Sequence, residues 1–175
     1  MTINGWLFDV YPYESGVVLW FIGTKGEKYR ACYPFKPSFF LHLRGNDLTR
    51  GQSLGKKSPS PVSFVTVKRR ELFSNETVDV LQVFVHEPTK FSWVVRYYEQ
   101  FFPHYCFYDS DLLVAQEFLF ETRLFGLALG EYFVDESGTL TRWILHDSQE
   151  SVDYELPPLS VMLLRNANDF VPAKY

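Results

Sequence analysis

The sequence predicts an α+β protein in which strands outnumber helices and two helices interrupt the strands rather than alternate with them. Short apolar runs alternate with turns rich in Gly, Pro, Asn and Asp, and two later segments carry apolar residues at spacings of three and four. Of the 175 residues, 46% are hydrophobic, including 17 Phe, 11 Tyr and 4 Trp. This composition is far from that of a disordered chain, so we expect a packed core.

The first part of the chain, residues 1–44, reads as a strand meander. Strands are predicted at residues 6–10, 17–22, 28–33 and 39–43. The turn Thr24-Lys25-Gly26 between the second and third of them is a hairpin signal. We therefore expect a small antiparallel sheet or barrel.

Residues 45–61 are polar and rich in Gly, Ser and Pro, which predicts a mobile loop or linker between two lobes. Residues 62–125 form the predicted second lobe, with two strands followed by two helices that Thr89 and Ser110 are expected to cap. Residues 126–158 predict a β-hairpin that returns to pack on the first lobe. Residues 159–175 predict one more apolar strand and a tail.

The charge of the chain limits its partners. A net charge of −4 and a pI near 5.6 argue against an overall field that attracts nucleic acid, so any such contact must be local. The basic residues concentrate only at Lys68, Arg69 and Arg70, with Lys56 and Lys57 in the preceding loop. These five residues either contact a nucleic-acid backbone or form a solvated strand end.

The sequence also indicates where the protein works. No apolar run approaches the roughly 18 to 20 residues that span a bilayer, and the amino terminus carries no secretion signal. We expect a cytoplasmic protein without membrane contact, in which Cys32 and Cys106 remain thiols. Neither a phosphate-binding glycine loop nor a nucleophile elbow is found, and we expect no cofactor, metal or catalytic residue in this chain.

Four elements, taken in order, carry a resemblance to a known family. They are FKPSFFLHL, HEPTKFSWVVRYYEQF, YDSDLLVAQEFLFETRLFGLALGEY and ELPPLSVMLL. Their order and spacing resemble the N-terminal region of family B DNA polymerases. The resemblance implies a non-catalytic domain with a ferredoxin-like lobe, similar to RNA-recognition folds, that scaffolds a polymerase and contacts single-stranded DNA template. Its partners would be the remaining domains of the parent polymerase, which is expected to use Mg²⁺.

The resemblance also implies two sites that we expect to be degenerate here, although for the exonuclease site the alternative is that the chain stops before the motif has its proper context. Proofreading polymerases of the family hold metal ions with an Asp-x-Glu pair after an apolar strand, and Arg165 and Ala167 stand at those positions here. A uracil-binding pocket of archaeal members falls on seven positions, at which Ser38 lacks an aromatic ring, Phe91 fills the cavity and Glu117 repels phosphate. We expect neither site to function. The seven positions are Tyr11, Pro37, Ser38, Pro88, Phe91, Val114 and Glu117.

Two other classes of function remain open at this stage. The chain could be a stand-alone protein-interaction module, an orphaned polymerase remnant that does not bind nucleic acid. It could also be a hydrolase with converging acids, although their spacing does not support one: Glu131, Asp135, Glu136, Asp147 and Glu150.

Overall fold

A computed structural model describes residues 1–71, 75–151, 153 and 155–159. This part of the chain contains nine strands and three α-helices, which confirms the α+β class. The strands are β1 (Thr2–Tyr13), β2 (Gly16–Gly23), β3 (Lys28–Pro34), β4 (Ser38–Leu41), β5 (Val62–Arg70), β6 (Thr77–Val85), β7 (Phe107–Tyr108), β8 (Leu129–Val134) and β9 (Leu140–Leu145). The helices are α1 (Asn46–Leu54), α2 (Phe91–Glu99) and α3 (Val114–Thr122), with short 3-10 turns at Gly55–Lys57, Pro88–Lys90 and His104–Cys106.

The first sheet, sheet A, has five antiparallel strands in the order β3-β2-β1-β8-β9. The predicted hairpin β8–β9 returns to this sheet because β8 pairs with β1, with Gly5 opposite Gly130. A Cβ atom on Gly5 would lie 2.1 Å from the carbonyl oxygen of Ile22, so the strands approach too closely for any larger residue. The sheet does not close into a barrel, although its edges meet where the Cys32 N–H donates to the Gly138 carbonyl at 2.9 Å.

The second sheet, sheet B, has four antiparallel strands in the order β5-β6-β4-β7. Helix α1 connects β4 to β5, and α2 connects β6 to β7. A β-α-β-β-α-β unit with this strand order is ferredoxin-like, as expected. The unit nevertheless runs from β4 to β7, so its first strand lies in the predicted meander and its first helix lies in the predicted linker.

The expectation of a loop over residues 45–61 is wrong where α1 forms. The helix has few apolar residues, and tertiary contacts rather than sequence propensity stabilise it. The hydroxyls of Tyr98 and Tyr97 donate to the carbonyls of Gly51 and Leu54 at 3.2 and 3.3 Å. Gly51 is buried, and a Cβ atom there would lie 2.7 Å from Leu43, so the absent side chain lets α1 lie against the core.

The predicted helix caps are also wrong. Helix α2 follows the Pro88–Lys90 turn and has Lys90 at its N-cap, without a side-chain hydrogen bond from Thr89. Helix α3 begins after Leu113, whose N–H donates to the side chain of Gln116 at 3.1 Å. Ser110 does not cap α3, because the helix begins at Val114 and its N-cap is Leu113; the chain before it turns at Asp109, which has a left-handed φ of 56°.

One hydrophobic core receives side chains from both sheets. In sheet A, the rings of Phe21 and Tyr132 lie 4.5 Å apart, and in sheet B Phe39 packs 5.7 Å from Tyr98 of α2. Each such aromatic pair contributes about 0.5–1.5 kcal/mol beyond its buried area. Helix α3 lies between the two sheets. The ring of its Phe118 packs 5.5 Å from the ring of Tyr33 on β3, and its Glu117 accepts a hydrogen bond from the N–H of Ser38 on β4. The two predicted lobes therefore share one core.

Other expectations can be compared only in part. Among the described residues, no helix is long and apolar enough to cross a membrane. Cys32 and Cys106 are both free and half-buried. Arg165, Ala167 and residues 160–164 of the last predicted strand lie outside the described residues, so the expected loss of the exonuclease site stays a prediction.

Candidate nucleic-acid interface

The two faces of sheet B differ in what covers them. Along β4 the side chains alternate, so Phe39 faces α2, where its ring packs 6.0 Å from Phe91, and Phe40 points to the opposite face. The register places Phe40 beside Tyr108 of β7 and Gln82 of β6. The same face also carries Val78 and Val80 of β6 and Val65, Val67 and Arg69 of β5.

Helix α3 covers one half of this outer face. The Ser38 N–H and hydroxyl both donate to Oε1 of Glu117, at 2.7 and 3.1 Å. The Gln82 amide in turn donates to the Ser38 hydroxyl at 2.9 Å. All three side chains are buried, so this network closes the end of the sheet at which β4 begins.

The other half of the outer face is an open groove, which we call the sheet B groove. Val80 is buried at its floor, and the Arg69 guanidinium lies 5.1 Å from the centre of the Phe40 ring. Tyr105 stands 81% exposed at the rim. The groove has a volume of about 530 Å³ and is lined by Phe40, Arg69, Arg70, Glu71, Val78, Val80, Tyr105, Tyr108 and Asp109.

Opposite charges are balanced in the sheet B groove. Arg69 and Arg70 line it together with Glu71 and Asp109. Burial, followed by the charge of Glu71 and a hydrogen bond with it, raises the pKa of Tyr108, so its hydroxyl remains protonated at neutral pH. The groove therefore presents aromatic and apolar surface with little net charge.

The structure does not bring the five predicted basic residues together. Lys56 and Lys57 lie in the 3-10 turn beside the start of β5, whereas Lys68, Arg69 and Arg70 lie at its end. Lys68 lies six residue steps along β5 from Val62, which corresponds to about 20 Å. Strand alternation also turns Lys68 away from the face that carries Arg69. Two members of the set, Arg69 and Arg70, line the groove.

The seven positions of the uracil pocket are only partly brought together. Ser38 contacts Glu117, while Pro88, Phe91 and Val114 are buried. Tyr11 is exposed on β1, where its hydroxyl accepts a hydrogen bond from the Trp20 indole at 3.3 Å. None of the seven positions lines the sheet B groove. That this pocket does not function stays a prediction, which the burial of Phe91 in the core supports.

Glu117 does not face outward as a phosphate-repelling charge, contrary to the expectation. It is 6% exposed, and its Oε2 atom finds no hydrogen-bond partner among the described residues. Burial raises the pKa of this carboxyl to about 7, with smaller contributions from the Glu121 and Asp109 carboxylates, while the hydrogen bonds from Ser38 oppose the shift. Near neutral pH, Glu117 is therefore partly protonated.

Two of the acidic residues considered for a hydrolase, Asp135 and Asp147, have structural hydrogen-bond partners. Asp135 accepts hydrogen bonds from the Ser137 hydroxyl at 2.6 Å and from the N–H groups of Thr139 and Ser137, both at 2.9 Å, and these bonds lower its pKa. Asp147 accepts from the Leu129 N–H at 3.2 Å. Within the described ranges, no group of three His, Cys, Asp or Glu residues is arranged to hold a metal ion.

The sequence did not single out the aromatic residues of the groove, which are Phe40, Tyr105 and Tyr108. Phe39, Phe40 and Leu41 form an unbroken apolar run, so alternation within it cannot separate a buried face from an open one. The neighbouring basic run at the end of β5 is the signal that could have directed attention to this face.

The chain was compared with known proteins. No family model matches it, and no curated protein matches it. A solved structure that is similar to it is the family B DNA polymerase from the hyperthermophilic archaeon Pyrobaculum calidifontis, with a TM-score of 0.65 and 14% sequence identity.

The chain shares its fold with part of a family B DNA polymerase. The similarity covers 83% of this chain and 21% of the polymerase chain, so this chain spans about a fifth of that polymerase. At 14% identity the likeness is one of fold. It agrees with the family that the ordered sequence elements resemble.

Proposed function

We propose that this chain is a non-catalytic, polymerase-related domain that contacts single-stranded DNA template through the open half of sheet B. The observation that carries the proposal is the fold similarity to a family B DNA polymerase over 83% of the chain. The ordered sequence elements of the N-terminal region support the same assignment. The remaining domains of a longer polymerase would be its partners, and they would hold the Mg²⁺ for catalysis.

The sheet B groove supports contact with a single strand. Unpaired nucleic acid is bound by aromatic rings on which bases stack, combined with cations that follow the backbone. Phe40, Tyr105 and Tyr108 supply rings, and Arg69 and Arg70 supply cations at the same place. A single strand can offer its bases to the groove, whereas a duplex keeps its bases stacked inside.

The electrostatics predict weak binding with a shallow salt dependence. The chain has a net charge of −4, and the end of β5 offers three cations, Lys68, Arg69 and Arg70. Each phosphate contact on a single strand contributes about −0.7 to the slope of log K against log salt. Two or three contacts therefore predict a slope of about −1.4 to −2.

The proposal is tested by titrating a labelled single strand with the chain at several salt concentrations and following fluorescence anisotropy. We expect binding that weakens with salt, and a slope closer to zero after Lys68→Gln with Arg70→Gln. The matched control is Lys56→Gln with Lys57→Gln, which removes the same charge at the other end of β5. Binding that depended on the control pair alone would place the interface elsewhere.

A protein-interaction module is the second candidate function. Exposed apolar side chains on the outer surface of the helices favour it, because Leu113 and Phe120 are each 66% exposed at α3 and Trp93 is 62% exposed on α2. The same titration separates the two candidates. If the chain binds no single strand even at low salt, the nucleic-acid proposal fails and the interaction module becomes the better account.

A further inference from the structure

We propose that the sheet B groove holds one unpaired base of single-stranded DNA, and that the Asp109 carboxylate at its rim selects bases carrying an amino group over thymine. This inference rests on the proposed function and deepens it. It names the part of the strand that enters the groove and the chemical feature that is recognised there.

The charges indicate that a base rather than a phosphate enters the groove. Two guanidinium groups and two carboxylates line it, so a phosphate would meet repulsion as well as attraction. The Arg69 guanidinium already lies over the Phe40 ring, 5.1 Å from its centre. The backbone of the strand then remains outside the groove, near Lys68 at the end of β5.

Two tyrosines supply the ring faces that are free for stacking. Tyr108 lies next to Phe40 in the sheet and is 38% exposed, although its hydroxyl is engaged by Glu71. Tyr105 is 81% exposed at the rim. Stacking on an aromatic ring is worth about 1–3 kcal/mol per base and does not depend strongly on which base it is. The tyrosines therefore supply affinity rather than selectivity.

The carboxylate of Asp109 supplies the selectivity. A carboxylate accepts hydrogen bonds and cannot donate one when ionised. Cytosine, adenine and guanine carry amino groups that donate, whereas thymine presents a carbonyl oxygen where cytosine has its amino group. Cytosine would thus gain a charge-assisted hydrogen bond at the rim through its amino group, whereas the one donor on the thymine edge, its N3–H, lies between two carbonyl oxygens that repel the carboxylate. Cytosine and thymine have rings of similar size, so the comparison isolates this contact.

The test compares oligo(dC) with oligo(dT), each about 12 nucleotides long, which covers the site of a small single-strand-binding domain. Fluorescence anisotropy at slightly alkaline pH and low salt should show oligo(dC) bound about fivefold more tightly than oligo(dT), as one exposed charge-assisted hydrogen bond would give. Asp109→Asn should abolish the ratio. Asparagine tolerates the left-handed backbone at this position as aspartate does, so the fold is preserved.

Variants of Tyr105 test the stacking. Tyr105→Ala should weaken binding of both oligonucleotides about tenfold, Tyr105→Phe should retain it because the ring remains, and Trp93→Ala is the matched exposed aromatic control. Equal binding of the two strands, or a ratio that persists in Asp109→Asn, would overturn this inference while leaving the proposed function intact. Absence of binding to either strand at any salt concentration would overturn both.

Discussion

The Ser38 N–H and hydroxyl both donate to one carboxylate oxygen of Glu117, at 2.7 and 3.1 Å. This pair joins the first strand of the ferredoxin-like unit to α3, the helix between the two sheets. Seventy-nine residues separate the partners along the chain, so the contact is formed by the fold and not by a local turn. It also sets the boundary of the sheet B groove, because α3 covers the sheet where Ser38 lies and leaves it open from Phe40 onward.

Glu117 makes the stability of the protein depend on pH. Its pKa is about 7 in the folded chain, raised from an ordinary value of 4.5, so the folded state holds this proton more tightly than the unfolded state. The stabilisation is complete below about pH 4.5 and is lost as the pH rises to about 7, where the buried carboxyl ionises.

Replacement by glutamine should remove this pH dependence. We expect the free energy of unfolding of Glu117→Gln to increase by about 1–3 kcal/mol relative to that of the wild type between pH 4.5 and pH 8, so the variant becomes relatively more stable. Urea unfolding at both pH values measures this difference, and Glu136→Gln at an exposed position in the turn between β8 and β9 serves as the control. A difference that is the same at both pH values would show that Glu117 titrates normally.

Gly51 should be essential for the docking of α1. Valine at this position would place its side chain against Leu43 and Leu81, from which a Cβ atom alone lies 2.7 and 3.4 Å. We expect Gly51→Val to destabilise the protein by about 1–3 kcal/mol through overpacking and to accelerate trypsin cleavage at Arg50 within α1. Limited proteolysis followed by mass spectrometry measures both the site and the rate of cleavage.

The control for that experiment is Gly126→Val, because no atom lies within 4 Å of a Cβ at Gly126. The contradicting result would be rapid cleavage of the wild type between residues 44 and 61 at a rate that Gly51→Val does not change. It would show that this segment is the mobile linker expected from the sequence and that α1 is not packed on the core.

The chain should not distinguish uracil from thymine in a single strand. Phe91, at a position of the archaeal uracil pocket, packs in the core, and Glu117 is engaged by Ser38. A methyl-excluding cavity at these positions is therefore filled. Competition between otherwise identical strands containing uracil or thymine measures the preference. A tenfold preference for uracil, about 1.4 kcal/mol, would show that a working pocket exists.

The strands of sheet A were predictable because their signals are local. The runs around Trp6, Val17 and Lys28 alternate or carry β-branched residues, and turns such as Asp135–Gly138 contain the residues that tight turns require. Helix α1 was not predictable in this way, because hydrogen bonds from α2 and the missing side chain of Gly51 stabilise it. Both contacts arise only after the chain has folded.

The sequence predicts the basic residues of the candidate site, but it does not predict which aromatic side chains are open to solvent there. The basic run at the end of β5 is visible in the sequence, and Arg69 does line the groove. Phe40 is open because α3 covers only the neighbouring part of sheet B. The extent of this cover is set by the hydrogen bond between Ser38 and Glu117, which lie far apart in the sequence. The partly protonated state of Glu117 depends on the same burial and could not be read from residue type.

Ultraviolet cross-linking of a single strand to the chain, followed by mass spectrometry of the peptides, tests the central claim most directly. The account predicts adducts at Tyr105 and Tyr108 beside Phe40, with yields that fall as salt is added. The peptide of the Gly55–Lys57 turn at the other end of β5 should remain unmodified. Adducts confined to that turn or to α3, or no adducts at low salt, would contradict contact between single-stranded DNA and the open half of sheet B.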